Sequence, residues 1–390
     1  MSSDAFAEGH KLSELDRLRL DMAQLQAEAA VGLSDPNPRV GCILGLSDGT
    51  VLGVGSTQKT GEAHAEVMAL RQAAASGADL RGASAWVTLE PCSHHGRTPP
   101  CCEALIRAGL SRVVVGERDP NPLVAGQGIS RMRAAGIQVD MGHATHAAAT
   151  RELNIGFFSR HERGRPWVRM KLAASLDGRT ALPDGSSQWI TSEAARTDGH
   201  RWRRRASAIV TGIGTVLADD PRLDVRLAPS FLQPTRVVID SKLRLPISAR
   251  LLQPPGQSWV ATAGSAPRDR LATLSKAGVD VRVFAENNHQ VDLAAVLRML
   301  ADGDANEIHI EAGAGLNGAL LNLGFVDEVL LYVAPMLVGD GPGLALLSPI
   351  ASLSQALRFN WVETACLGHD LRVRLRPATG TRGLPSRREP

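Results

Sequence analysis

The sequence predicts an α/β protein built as two successive domains. The chain has 390 residues, more than a single hydrophobic core usually serves. Helix-type and strand-type segments alternate over the first 160 residues and again from Trp167 onward. That alternation is the pattern of layered α/β domains with largely parallel sheets. Between the two series lies RHERGRP, residues 160–166, polar and closed by a proline, which reads as a linker. The expected bounds are 1–160 and 165–376. The remainder, 377–390, is polar and rich in Gly, Pro and Arg, and is expected to be disordered.

Each element has its own signal. Residues 12–31 place Leu15, Leu18, Met22 and Leu25 at helical spacing. SDPNPRVG follows as a Pro-punctuated loop. Val40–Leu46 and Val51–Gly55 read as strands joined through Ser47, Asp48 and Gly49, a hairpin signal. Residues 64–76 are rich in strong helix formers. Ala85–Leu89 reads as a buried strand, followed by helix 101–108, strand 112–116, helix 128–135 and strand 137–140. In the second series, strands are expected at 167–172, 207–211, 236–240, 257–261, 280–284, 307–311, 327–334 and 370–376, and helices at 192–205, 267–277, 291–301 and 315–323. DPNP occurs twice, at 35–38 and 119–122, and reads as a Pro-fixed Asx turn.

Composition narrows the function. Net charge is +3 and aromatics are 4%, which argues against nucleic acid as partner because single strands are held by basic and aromatic residues together. The opening MSSDAFAEGH has no apolar core of a secretory signal, and no apolar run is long enough to span a membrane. The five cysteines are odd in number, and three lie within residues 92–102. Without an export signal such a cluster points to metal binding or reactivity in a reducing compartment, so the chain is expected to be cytoplasmic.

The stretch LEPCSHHGRTPPCC, residues 89–102, carries the chemistry. Catalytic zinc uses three protein ligands and keeps a position open for water. His64 and Glu66 lie at a predicted helix start, Cys92 follows a predicted strand, and Cys101 opens another helix. Helix N-termini favour thiolates, and crevices at strand ends are where α/β folds bind ligands. H-x-E followed by P-C belongs to the signature of zinc nucleobase deaminases, but the usual C-x-x-C spacing is replaced here by an eight-residue insert between Cys92 and Cys101. Taken singly, HAE is an ordinary solvated helix end and a lone Cys a small core residue. Adjacent helical residues point in different directions, so only one of Cys101 and Cys102 can bind, and spacing alone does not choose. Cys42 and Cys366 read as core residues.

With that insert the segment resembles the deaminase half of the bifunctional deaminase–reductase family of riboflavin biosynthesis. Thr88 to Cys101 matches the family's T-L-E-P-C-S-H-x-G-R-T-P-P-C throughout, and Asn37–Gly41 matches its substrate-side loop. The resemblance implies a cytidine-deaminase-like three-layer α/β domain. It implies Zn²⁺ on His64, Cys92 and Cys101, selecting Cys101 over its neighbour. Glu66 would take a proton from the zinc-activated water and pass it to the ring nitrogen and departing ammonia. His94 and His95 are read as pocket residues.

The second half contains KLAASLDGRT, SSQWITS, TGIGTVLADDPRLDVR and EAGAGLNG. The last holds G-x-G-x-x-G after a strand and at a helix start, formally a dinucleotide fingerprint. It lies near the chain's end and lacks the expected later acidic residue, but a Gly-rich turn at a helix N-terminus suits pyrophosphate in any fold. The plain alternative is a close-packed strand–helix turn. Together these segments resemble the reductase half of the same family, over roughly residues 165–376. That implies a dihydrofolate-reductase-like α/β domain using NADPH. By the same resemblance Ala173, Trp189, Thr215, Asp219, Ser241 and the turn Gly313, Ala314, Gly315, Leu316, Asn317, Gly318 and Ala319 contact the cofactor. Ser187, Arg203, Leu223, Arg226 and Glu311 contact the substrate, whose phosphate accounts for the arginines. Lys242 and Arg244 either read a 2′-phosphate or are solvated surface. Lys171 and Asp177 are candidate acid–base groups whose direction the sequence does not give.

The implied activity is deamination of 2,5-diamino-6-ribosylamino-4(3H)-pyrimidinone 5′-phosphate, then reduction of its ribosyl chain to ribityl. The expected partner is that small pyrimidine ribosyl phosphate, with no nucleic acid and no membrane, and the chain is expected to be a homo-oligomer. The rival readings are a nucleic-acid or nucleoside deaminase and a zinc-stabilised binding protein.

Overall fold

The element order follows the alternation of sequence signals, with two additions in the first half and several in the second. The structure, a computed structural model, describes residues 12–93, 99–227 and 232–378. The chain divides into two compact units, Met1–Gly164 and Arg165–Pro390.

The first unit runs α1 (Glu14–Glu28), β1 (Gly41–Gly45), β2 (Val51–Ser56), α2 (Ala65–Ala75), β3 (Ser84–Leu89), α3 (Cys101–Arg107), β4 (Arg112–Glu117), α4 (Gln127–Ala134), β5 (Gln138–Met141), α5 (Ala144–Leu153) and α6 (Ile155–Arg163). Ser13 caps α1 in a reciprocal box with Asp16, which satisfies two orphan backbone donors. The sheet order is β2-β1-β3-β4-β5, with β1 antiparallel to both neighbours and β3, β4 and β5 parallel. Its core packs Leu44, Val87, Leu89 and Val115 against Ala65, Ala69, Leu105 and Met132. The expected linker is partly helical: α6 includes Arg160–Arg163 and stops at Gly164, whose φ is +66°. A glycine takes that left-handed conformation at little cost. Helix α5 escapes a periodicity reading because only Thr150 and Leu153 of its ten residues are buried, which leaves no apolar stripe to read.

The second unit runs β6 (Trp167–Ser175), α7 (Glu193–Arg205), β7 (Ala208–Gly212), α8 (Ile213–Asp219), β8 (Thr235–Ile239), β9 (Ser258–Ala263), α9 (Arg268–Lys276), β10 (Asp280–Phe284), the short pair β11 (Glu286–Asn287) and β12 (Gln290–Val291), α10 (Leu293–Asp302), β13 (Glu307–Ile310), α11 (Ala314–Asn322), β14 (Glu328–Ala334), β15 (Phe359–Leu367) and β16 (Asp370–Pro377). Nine strands form one sheet in the order β10-β9-β8-β7-β13-β6-β14-β16-β15. Seven of them, β10 through β14 in that order, are parallel. The β15–β16 hairpin extends the sheet antiparallel. β15 has no sequence signal because it is an edge strand with little burial on either face. β16 takes in Pro377, the first residue of the stretch expected to be tail, and residues 379–390 lie outside the described residues.

Candidate active sites

In the first unit three elements meet at one point. His64 is the N-cap residue of α2, Cys92 follows β3, and Cys101 is the first residue of α3. His64 Nδ1 lies 3.6 Å from Cys92 Sγ and 3.4 Å from Cys101 Sγ. All three ligand atoms lie within 4.8 Å of one another. A tetrahedron with zinc–nitrogen and zinc–sulfur bonds of ordinary length has an N···S edge of about 3.5 Å. The trio therefore fits zinc, with one position left over. Among the described residues it is the one metal-competent cluster. The backbone N–H of Cys101 donates to Cys92 Sγ over 3.3 Å, and that sulfur is held well below the usual thiol range, chiefly because its thiolate also accepts from the Cys101 thiol. Cys102 points away, into the apolar core with Leu105 and Val113. His94 and His95 lie outside the described residues.

Glu66 sits one residue into α2 and is 3% exposed. Burial, then the charge on Cys92, pushes its carboxyl up to about 7. Behind the metal cluster, Glu90 fixes the strand end that carries Cys92. Its carboxylate accepts from the backbone N–H groups of Gly126 at 2.9 Å and Ile129 at 3.2 Å, at the start of α4. Gly128 permits this approach, since a Cβ there would stand 2.1 Å from the Pro91 carbonyl oxygen. The second DPNP makes the expected Asx turn, with Asn121 N–H donating to Asp119 Oδ1 at 2.8 Å. The loop Asn37–Gly41 is anchored by a residue that carries no signal in the sequence. Asn154, between α5 and α6, accepts from Arg39 N–H at 2.7 Å and donates to the Arg39 carbonyl at 3.0 Å.

In the second unit, the Gly-rich turn leaves β13 with Gly313 as N-cap of α11. A Cβ at Gly315 would meet nothing within 4 Å, and one at Gly313 only Thr215 Oγ1 at 3.8 Å. A Cβ at Gly318 would stand 1.8 Å from the Leu346 carbonyl oxygen. Two glycines thus leave open space at the helix start and the third permits close packing, the division of labour a dinucleotide turn requires. Asn317 ties the turn down, donating to the carbonyls of Ala312 at 2.9 Å and Leu344 at 3.1 Å, while its buried Oδ1 has no partner among the described residues. These features fit a dinucleotide. Of the other expected cofactor contacts, Ala173 lies on β6, Thr215 and Asp219 on α8, and Ser241 follows β8 and accepts from Val291 N–H at 3.1 Å. Trp189 is 66% exposed, with the Arg196 guanidinium 4.4 Å above its ring.

The expected substrate residues do not share one environment. Arg203 grips Glu311 through two bonds of 2.5 and 2.8 Å and donates to the Asp224 carbonyl at 3.1 Å. Its fork is thus occupied by a carboxylate. Arg226 is half-exposed and pairs with Asp224 at 2.6 Å. Ser187 donates to Asp219 Oδ1 at 3.5 Å, and Leu223 is buried with φ +53°. Glu311 is held well below the usual carboxylate range by Arg203, against the opposing effect of burial. Lys171, on β6, interacts with both Glu311 and Arg203, and burial lowers its ammonium's pKa. Asp177 instead accepts from Val338 N–H at 3.1 Å and Gly339 N–H at 2.7 Å. It is a loop anchor, and its two oxygens are taken up by that role. Arg244 lies 3.9 Å from Asp240.

Comparison with known proteins agrees with both halves. The family model described as the cytidine and deoxycytidylate deaminase zinc-binding region matches residues 13–117, and the RibD C-terminal domain matches residues 166–371. The riboflavin biosynthesis protein RibD of Escherichia coli is 44% identical over 353 residues, covering 87% of this chain and 93% of its own. That of Aquifex aeolicus is 38% identical, covering 92% and 98%. The solved Acinetobacter baumannii RibD superposes with a TM-score of 0.84 at 39% identity, over 94% of this chain and 99% of that one. A Thermotoga maritima structure, described as a diaminohydroxyphosphoribosylaminopyrimidine deaminase/5-amino-6-(5-phosphoribosylamino)uracil reductase, gives 0.82 at 31% identity, over 93% and 99%. The chain belongs to the RibD family of riboflavin-biosynthesis proteins.

Proposed function

We propose that the chain is a bifunctional enzyme of riboflavin biosynthesis, a zinc-dependent pyrimidine deaminase followed by an NADPH-dependent reductase. The observation that carries the reading is the zinc-spaced trio His64, Cys92 and Cys101 beside buried Glu66, in a chain whose other half is a RibD C-terminal domain.

The deaminase substrate is 2,5-diamino-6-ribosylamino-4(3H)-pyrimidinone 5′-phosphate. His64, Cys92 and Cys101 would hold zinc, which would lower the pKa of a bound water. Glu66 takes the first proton of that water and passes it to the ring nitrogen, then carries the second, from the new hydroxyl, to the leaving amine. Water is consumed, ammonia leaves, and the 2-amino group becomes a carbonyl. In the reductase, the Gly313–Ala319 turn with Ala173, Trp189, Thr215, Asp219 and Ser241 would hold NADPH, which would supply the hydride for C1′. The C1′–O4′ bond breaks and the freed oxygen takes a proton. Glu311, oriented by Arg203, holds the substrate together with Ser187 and Leu223, and half-exposed Arg226 is the group for its phosphate. The working domains are 1–160 and 165–376. The protein acts in the cytoplasm, in keeping with five unpaired cysteines. It works as a homo-oligomer, for which the long edge strand β15 with exposed Trp361 offers a surface.

The test is to supply the diaminopyrimidine ribosyl phosphate and follow ammonia and NADPH absorbance separately. Ammonia released without NADPH, and NADPH consumed only after deamination, is the expected result. NADPH consumed with no ammonia released would reverse the order. Neither signal from zinc-loaded protein would overturn the substrate.

A further inference from the structure

His309 has no part in the motifs or in the proposed function, and the role given to it here rests on Glu311 being a substrate contact. His309 lies in the middle of β13 and is 0% exposed. Strand alternation puts it on the same face as Glu307 and Glu311. Its Nε2 stands 3.4 Å from Glu311 Oε1. The approach is oblique, and neither ring nitrogen makes an aligned hydrogen bond among the described residues. A buried imidazole left in this way costs free energy unless something completes the bond.

The charged and titratable neighbours fix its form. Glu311 lies two residues on, just past the end of β13, Arg169 sits opposite it on β6, and Arg203 reaches in from α7. Burial, with two guanidiniums nearby, favours the neutral ring. A neutral ring has one N–H, and among the described residues the acceptor found beside Nε2 is Glu311 Oε1. The carboxylate's acceptor sites can then be counted. Arg203 takes one site on each oxygen, and His309 faces Oε1. Among the described residues, the second site on Oε2 is the one left.

We propose that His309 is a positioning residue of the reductase: its Nε2–H engages Oε1 of Glu311, so that Oε2 alone is presented to a hydroxyl or N–H of the substrate. The bond is oblique before substrate binds and tightens as Glu311 is drawn into place, as contacts around reacting groups commonly do.

The test compares His309→Leu, His309→Gln and His309→Asn in the full chain, with the deaminated ribosyl phosphate as substrate. Ammonia release by the deaminase unit serves as the concentration standard, and NADPH fluorescence quenching checks that the reductase unit is folded. His309→Leu is expected to lower reductase kcat/KM about tenfold or more, through the loss of a bond to a charged group. NADPH affinity should be unchanged. Gln carries an amide N–H to nearly the reach of Nε2 and should recover to within about threefold, whereas the shorter Asn should not. A folded Leu variant within about twofold of the parent overturns the proposal. Equal losses in Gln and Asn overturn it too, because a merely structural role does not distinguish them, and this pair decides the matter if Leu does not fold. Glu311→Gln run alongside separates the two failures. If it leaves reduction intact, the reading of Glu311 is wrong. If it alone impairs reduction, only the role of His309 is wrong.

Discussion

Glu328, at the start of β14, gives the sharpest quantitative expectation. Its carboxylate is 0% exposed and accepts from Arg169 at 2.6 Å, Arg374 at 3.0 Å and Arg376 at 2.9 Å. Arg169 in turn bonds Glu307 at 2.6 Å and stacks 4.5 Å from the Trp202 ring. Burial alone would raise the pKa of Glu328, but the guanidiniums, Arg169 foremost, outweigh it and hold the group at about 2 instead of 4.5. At about 1.4 kcal/mol per unit, the difference is worth about 3 kcal/mol of folding free energy. The sign follows from the depressed folded value. The contribution is complete above the unfolded pKa and is lost as pH falls from about 5 towards 2, with about 2 kcal/mol gone by pH 3. The measurement is urea unfolding of the parent and of Glu328→Gln at several pH values between 7 and 3, followed by tryptophan fluorescence. Five of the six tryptophans lie beyond residue 164, so the signal reports chiefly the reductase unit. All other carboxylates are common to both proteins, so the difference between the two pH profiles isolates this one. At pH 7 the variant should be less stable by about 3–5 kcal/mol, because removing one partner strands buried guanidinium charge. The gap should narrow by about 2 kcal/mol at pH 3. Parallel profiles, or a cost below about 1 kcal/mol at pH 7, would refute the reasoning.

Further expectations concern the two sites. Cys101→Ser should purify with little zinc and release no ammonia, while Cys102→Ala should keep its zinc and lose only core packing, about 1 kcal/mol in a thermal melt; metal analysis of both checks this. Glu66→Gln should retain zinc yet lower ammonia release by about 10²–10⁴-fold, with NADPH consumption intact when the deaminated compound is supplied. Treatment with a zinc chelator should reproduce that split, stopping ammonia release and sparing the reductase. Gly318→Ala forces a methyl group into the Leu346 carbonyl. It should weaken NADPH binding about tenfold or more, since the strain of about 1–3 kcal/mol falls on the cofactor turn; fluorescence titration measures it.

Residue type and element boundaries are set locally along the chain, whereas side-chain direction is set by packing between elements. His64, Glu66, Cys92 and Cys101 are legible in the sequence because metal and proton chemistry restricts residue type, and each sits at an element boundary that capping and propensity mark. The glycines of the 313–318 turn are legible as a motif: a Cβ at Gly318 would strike the Leu346 carbonyl, while Gly313 and Gly315 leave open space at the helix start. The alternation of elements is legible because each helix and strand has a buried face of fixed period. Whatever depends on direction was not. The rotation of α3 turns Cys101 towards His64 and Cys102 into the core. The pairing of β13 with β6 sets Arg169 beside His309. Arg203 spends its fork on Glu311, and Asp177 its carboxylate on Gly339, 162 residues away in sequence. Asn154 holds the Asn37–Gly41 loop from 115 residues away. Local preferences choose an element, but only packing between elements fixes which atoms a side chain meets, and that is a property of the folded whole.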